Sequence, residues 1–128
     1  MRIKGASVQR DGRILIIETD ELIRELLERW LSEAGYDVVA QPSSIPANIA
    51  APRLVIANIS RPRDAGALVQ SLESAYKAPI LLMSGRFRRG LAASKNAARE
   101  LGVRKVLPKP FTREELLAAV DESLAARR

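Results

Sequence analysis

The chain contains no cysteine and no histidine. Without cysteine there is no disulfide framework and no thiolate chemistry, which accords with a reducing compartment. Without histidine the usual acid–base side chain and the commonest metal ligand are both missing. Aromatic residues make up 4% of the chain, too few for a platform on which successive bases of a single strand would stack. No apolar run approaches the roughly 20 residues a membrane-spanning helix needs. The opening Met1-Arg2-Ile3-Lys4-Gly5 lacks the apolar stretch of a secretory leader, so a cytoplasmic location and no membrane association are expected.

What is present describes an ordinary globular chain. With 128 residues, 47% hydrophobic and 28% charged, it can bury one substantial core. The net charge of +6 and a pI near 10.3 favour acidic partners, whether protein, nucleic acid or small anion.

Short apolar runs alternate with longer periodic segments. Ile14–Ile17 is a continuous apolar run, the pattern of a strand buried on both faces of a parallel sheet. Leu22, Ile23, Leu26, Leu27, Trp30, Leu31 and Ala34 follow at helical spacing, and Gly35 is placed to end that helix in the left-handed conformation. Tyr36–Ala40, Leu54–Ala57, Ile80–Met83 and Val103–Leu107 read as the remaining strands. Helices are predicted over Ala65–Ala75, over an Ala-rich stretch ending near Leu101 and capped by Gly102, and after Thr112-Arg113-Glu114-Glu115, a capping box whose helix buries Leu116, Leu117, Val120 and Leu124. The Pro-rich stretch from Gln41 to Pro52 leaves room for a second crossover helix that is short or absent. Residues 1–12 read as a lead-in and 13–128 as a single domain.

Such alternation implies a flavodoxin-like α/β sandwich of three layers around a five-stranded parallel sheet, because parallel strands require right-handed crossovers. Ligand sites in such sheets lie beyond the carboxyl ends of the strands. That rule selects Glu18-Thr19-Asp20, Asn58 to Pro62, Ser84-Gly85 and Pro108-Lys109-Pro110.

Two stretches, Ile14 to Gly35 (ILIIETDELIRELLERWLSEAG) and Leu107-Pro108-Lys109-Pro110-Phe111, resemble the receiver domain of two-component response regulators, and the resemblance extends over Arg13 to Ala125. It implies two acids after the first strand that help hold Mg²⁺, a phosphoryl-accepting aspartate after the third, a hydroxyl after the fourth, a lysine after the fifth and a switch aromatic on the fifth. Carried over by position, Glu18, Ser84 and Lys109 match. Thr19 stands at the second acidic position, Asn58 at the acceptor and Val106 at the switch aromatic, while Asp20 falls outside the metal pair.

An amide spreads its lone pair over N, C and O and is a poor nucleophile. Each carboxylate removed from an Mg²⁺ site costs a few kcal/mol at an effective dielectric of ~20. The reading is therefore a degenerate receiver with no metal, no cofactor and no catalytic residue. Lys109 is expected to reach Glu18 and the Asn58 side-chain carbonyl, fixing one conformation. The resemblance further implies a protein partner, either another signalling protein or a second copy. It would dock on the face formed by Leu91–Leu101, Val103–Leu107 and Thr112–Ala125. The alternative is an anion or nucleic-acid binder using Arg61, Arg63, Arg86, Arg88 and Arg89 in the loops at the same sheet edge.

Other features carry weaker signals. Trp30 suits core packing or a partner contact, and Phe87 an exposed anchor or a residue folded onto the sheet end. Asn58-Ile59-Ser60 fits a glycosylation pattern that the absence of a secretion signal argues against, and Ser84 has no histidine to activate it as a nucleophile.

Overall fold

The computed structural model describes residues 13–42, 52–85 and 91–125. The strands are β1 (Arg13–Ile17), β2 (Asp37–Gln41), β3 (Leu54–Asn58), β4 (Ile80–Ser84) and β5 (Lys105–Pro108). All pair in parallel, in the order β2-β1-β3-β4-β5. The helices are α1 (Glu21–Glu33), α2 (Ala65–Tyr76), α3 (Leu91–Leu101) and α4 (Arg113–Ala125).

Because side chains alternate along a strand, each apolar run feeds both faces of the sheet. Ile14, Ile16, Leu54, Ile56, Leu81, Met83 and Leu107 face one core, closed by Leu27 and Leu31 of α1 and by Leu116, Ala119 and Val120 of α4. Leu15, Ile17, Val55, Ala57, Ile80 and Leu82 face the other, closed by Ala65, Val69, Leu72 and Tyr76 of α2. Helices on both faces of a parallel sheet make the expected three layers, and the fold is flavodoxin-like. The second crossover lies largely in residues 43–51, and the lead-in at 1–12; both fall outside the described residues.

The helix ends follow their sequence signals. Asp20 caps α1, its Oδ1 accepting from the Ile23 N–H at 3.1 Å. Thr112 and Glu115 exchange hydrogen bonds of 2.9 and 3.0 Å in a complete capping box. Gly35 (φ 100°) and Gly102 (φ 73°) take the left-handed turns that follow α1 and α3. Lys77 does the same after α2 with φ 53° and ψ 44°, although it carries a β-carbon.

Two strand starts and one core residue differ from expectation. The Tyr36 N–H donates to the Leu31 carbonyl, so Tyr36 belongs to the exit of α1 and β2 starts at Asp37. Val103 likewise donates to the Ala98 carbonyl, and β5 starts at Lys105. Leu22 leaves the expected core stripe and is 76% exposed. At 100° per residue it lies about 140° round the helix from Leu27, beyond the arc that a sheet covers.

A further tie crosses the first core. The buried Tyr36 donates its hydroxyl to Asp121 Oδ1 of α4 at 2.6 Å, joining the α1–β2 turn to the neighbouring helix. Among the described residues no helix is long and apolar enough to cross a membrane.

Candidate functional site at the carboxyl edge of the sheet

The strand order brings the separate loops selected from sequence to one edge. β1 delivers Glu18, β3 ends on Asn58, β4 ends on Ser84, and β5 delivers Lys109. The register sets Asn58 opposite Met83, and Ser84 opposite Pro108. The Lys109 N–H donates to the Ser84 carbonyl at 2.9 Å, which ties the ends of β4 and β5 together.

Glu18 is the centre of this edge. It is a carboxylate only 2% exposed. Its Oε1 accepts from Lys109 Nζ at 3.2 Å, and its Oε2 from the Asp20 N–H at 3.0 Å. Its backbone is held as well: the N–H donates to the Gln41 carbonyl at 3.1 Å, and the carbonyl accepts from Arg24 at 2.8 Å. Burial of a charged group is tolerated when a counter-charge and hydrogen bonds meet it, and Glu18 has both. Lys109, with its side chain 25% exposed, supplies the counter-charge.

The expected reach of Lys109 to Glu18 is present. Among the described residues no hydrogen bond joins Lys109 to the side chain of Asn58, so that half of the expected network is absent. Asn58 is half-buried at the end of β3, and Thr19 is exposed, its carbonyl accepting from Arg24 at 3.5 Å. Asp20 serves as the helix cap described above. Ser84 is fully buried. Val106 is buried opposite Leu82, on the sheet face that packs against α2.

Of the five arginines singled out, Arg61 and Arg63 are described and exposed. Arg61 Nε is paired with Asp64 Oδ2 at 2.9 Å, three residues on, in the short 3₁₀ turn Pro62–Asp64 that leads into α2. Arg86, Arg88, Arg89 and Phe87 lie outside the described residues.

Arg24 was not singled out from sequence, yet its guanidinium holds the β1–α1 loop through two carbonyls. The available signal was its place one turn into α1, directly above the loop. Equally unforeseen is an apolar groove of about 410 Å³ beside Lys109, walled by Ile23, Leu26 and Trp30 of α1 and by Pro110 and Phe111. The Lys109–Pro110 peptide in its wall is cis.

The oxygen donors here suit Mg²⁺ poorly. The ion takes near-octahedral hard oxygen ligands, usually with one or two carboxylates. Both oxygens of Glu18 are engaged by N–H donors, Asp20 is turned to the helix end, and the remaining positions are neutral. Among the described residues no three Asp, Glu, His or Cys side chains gather at a common point.

Strand order, helices on both faces and acid, hydroxyl and lysine at one edge define a receiver-type module. The family model for the response regulator receiver domain matches residues 14–121. The chain belongs to that family of two-component signal transduction. It is 32% identical over 122 residues to the transcriptional regulatory protein PdtaR of Mycobacterium tuberculosis, covering 91% of this chain and 58% of that one. It is 35% identical over 112 residues to the response regulator MprA of Mycolicibacterium vanbaalenii, covering 83% of this chain and 47% of that one. The chain thus spans about half the length of the curated relatives it matches. Among solved structures, the non-phosphorylated HemR receiver domain of Leptospira biflexa aligns with a TM-score of 0.71 at 24% identity, over 92% of this chain and 98% of that one. The chemotaxis response regulator CheY4 of Vibrio cholerae aligns at 0.68 and 23% identity, over 88% and 98%. At those identities the structural matches speak for the fold alone.

Proposed function

We propose that this chain is a degenerate receiver that works without phosphoryl transfer, as a non-catalytic protein-interaction module in signalling. The observation that carries the reading is the amide of Asn58 where the family places its acceptor carboxylate, beside a lysine already ion-paired to Glu18 at 3.2 Å. Phosphoryl transfer to a receiver needs a nucleophilic oxygen and a cation to offset the charge on the moving group. Asn58 is a poor source of the first, and the donor set around Glu18 is a poor host for the second. In place of a metal bridge, Lys109 and Glu18 make a direct link between the ends of β5 and β1. A domain locked in this way has no use for a toggling aromatic, and Val106 at that position agrees.

The partner surface of this proposal is the face made by α3, β5 and α4, offered to another signalling protein or to a second copy. Its described exposed residues are mostly polar or charged, among them Lys95, Asn96, Arg99, Glu115 and Glu122, and Lys105 is paired with Glu122. Docking there is accordingly partly electrostatic, which departs from the apolar, salt-indifferent face that would most simply separate protein docking from nucleic-acid binding. The alternative of an anion binder using the Arg-rich rim has less support, since Arg61 is already engaged by Asp64.

Incubation with a small-molecule phosphodonor and Mg²⁺, followed by intact-mass measurement, tests the central claim. The expected result is no stable added phosphate. Asn58→Asp combined with Thr19→Asp is expected to restore a labile phosphoryl adduct. A stable adduct on the natural chain would overturn the reading.

A further inference from the structure

We propose that the outer row of α1 is a self-association surface, on which a second copy of this chain packs its own α1 about a two-fold axis. Among the described residues Leu22 is the one exposed large apolar side chain. A single exposed leucine needs no explanation. This one continues into Leu26 and Trp30, which follow at four-residue steps, are half-buried, and wall the groove of about 410 Å³ against Phe111. Leu26 belongs to neither core. The row is an open apolar ridge with a hollow along one side.

Rows at four-residue steps are the ridges by which helices interlock, most often at a crossing of roughly 50°. A two-fold axis near the middle of α1 sets Leu26 against its own copy and sends Leu22 of each chain toward the Trp30 end of the other's groove. One helix thus carries both the projecting side chain and the hollow that receives it. A two-fold contact requires that self-complementarity.

The charges agree with a second copy rather than an unlike partner. At about 100° per residue, Glu25 and Arg29 lie on the side of the row away from Ile23 and Leu27. Both are exposed, and among the described residues neither joins an ion pair, although they stand four apart. Antiparallel pairing brings the same flank of each helix together in reversed order, so Glu25 of one copy faces Arg29 of the other, twice. A purely cationic or anionic partner would answer only one member of that set. Glu28 lies on the far side of the helix, and Glu21 and Glu33 near its ends diverge at such a crossing and stay in water. The proposal asks nothing of Asn58, so its failure would leave the reading of the phosphoryl site untouched.

Sedimentation of the full chain over roughly 10 µM to 1 mM tests it. A contact this short lies at the small end of specific interfaces, below ~1,200 Å² in total, so a weak dimer is expected at the upper concentrations. Leu22→Glu puts a carboxylate in the first turn, where it suits the helix, and is expected to hold Tm while weakening the dimer by roughly tenfold or more. Glu25→Arg and Arg29→Glu are each expected to weaken it as well. Mixed together, those two variants are expected to pair with each other, because the opposite charges then meet again across the axis. A chain that stays monomeric throughout the range would overturn the proposal, as would a mixture that fails to pair. A dimer that withstands Leu22→Glu would do the same, and its loss through Arg99→Glu would move the self-contact to the α3 face.

Discussion

A buried carboxylate met by one ammonium and one backbone N–H is a structure with little slack. If Lys109 is removed, Glu18 stays 2% exposed with its principal partner gone. Breaking a buried pair from one side costs several kcal/mol, whereas removing both charges is often near neutral. Lys109→Met is therefore expected to lower stability by about 3 kcal/mol in chemical denaturation. Glu18→Gln in the same background should recover most of that loss, and additive losses in the double-mutant cycle would show that the two groups are not coupled. Asp20 bears on the metal question in a different way. Asp20→Ala removes a helix cap and should cost about 1 kcal/mol, with no change in the response to Mg²⁺. The residues at this edge were legible because a strand-end rule and a run of motifs selected them together. Their partners were not: sequence spacing does not decide whether an ammonium 91 positions away meets a carboxylate, an amide, or both.

Among the elements, those with a local signal read best. The capping box Thr112–Glu115 and the glycines after α1 and α3 act within a few residues, and each stands where its chemistry requires. Thr112→Ala should shorten or fray α4 and lower stability by about 1 kcal/mol, measured as a drop in Tm. Where tertiary structure decides, the sequence spoke less clearly. Leu22, Leu26 and Trp30 share a helical spacing with Leu27 and Leu31, but the sheet covers only part of that arc. Leu22 is therefore exposed, while Leu26 and Trp30 wall the groove against Phe111. Periodicity gives the helix; the width of its buried face depends on what lies across from it.

Over the whole molecule, the alternation of runs and helices was enough to specify a parallel sheet with helices on both faces, since few topologies accept right-handed crossovers at this length. The distribution of charge was less legible. A net charge of +6 says nothing of where the cations sit, and the fold sends arginines and lysines to both edges of the sheet. The docking proposed for the α3–β5–α4 face, where α3 carries the exposed Lys95 and Arg99 and α4 the exposed Glu115 and Glu122, should weaken on raising ionic strength. Exposed charges are screened beyond about 8 Å at 0.15 M. Affinity measured across a salt series that stayed flat would argue for a different docking surface.

The groove beside Lys109 has one more use. Trp30, the single tryptophan of the chain, forms part of its wall. Indole emission responds to the polarity and packing of its surroundings, so the protein carries an intrinsic optical probe next to its strand-end lysine. Release of Lys109 from Glu18, or entry of an apolar group between α1 and Phe111, should register as a wavelength or intensity change in an unlabelled sample. A silent spectrum through a confirmed binding event would place that event elsewhere on the surface.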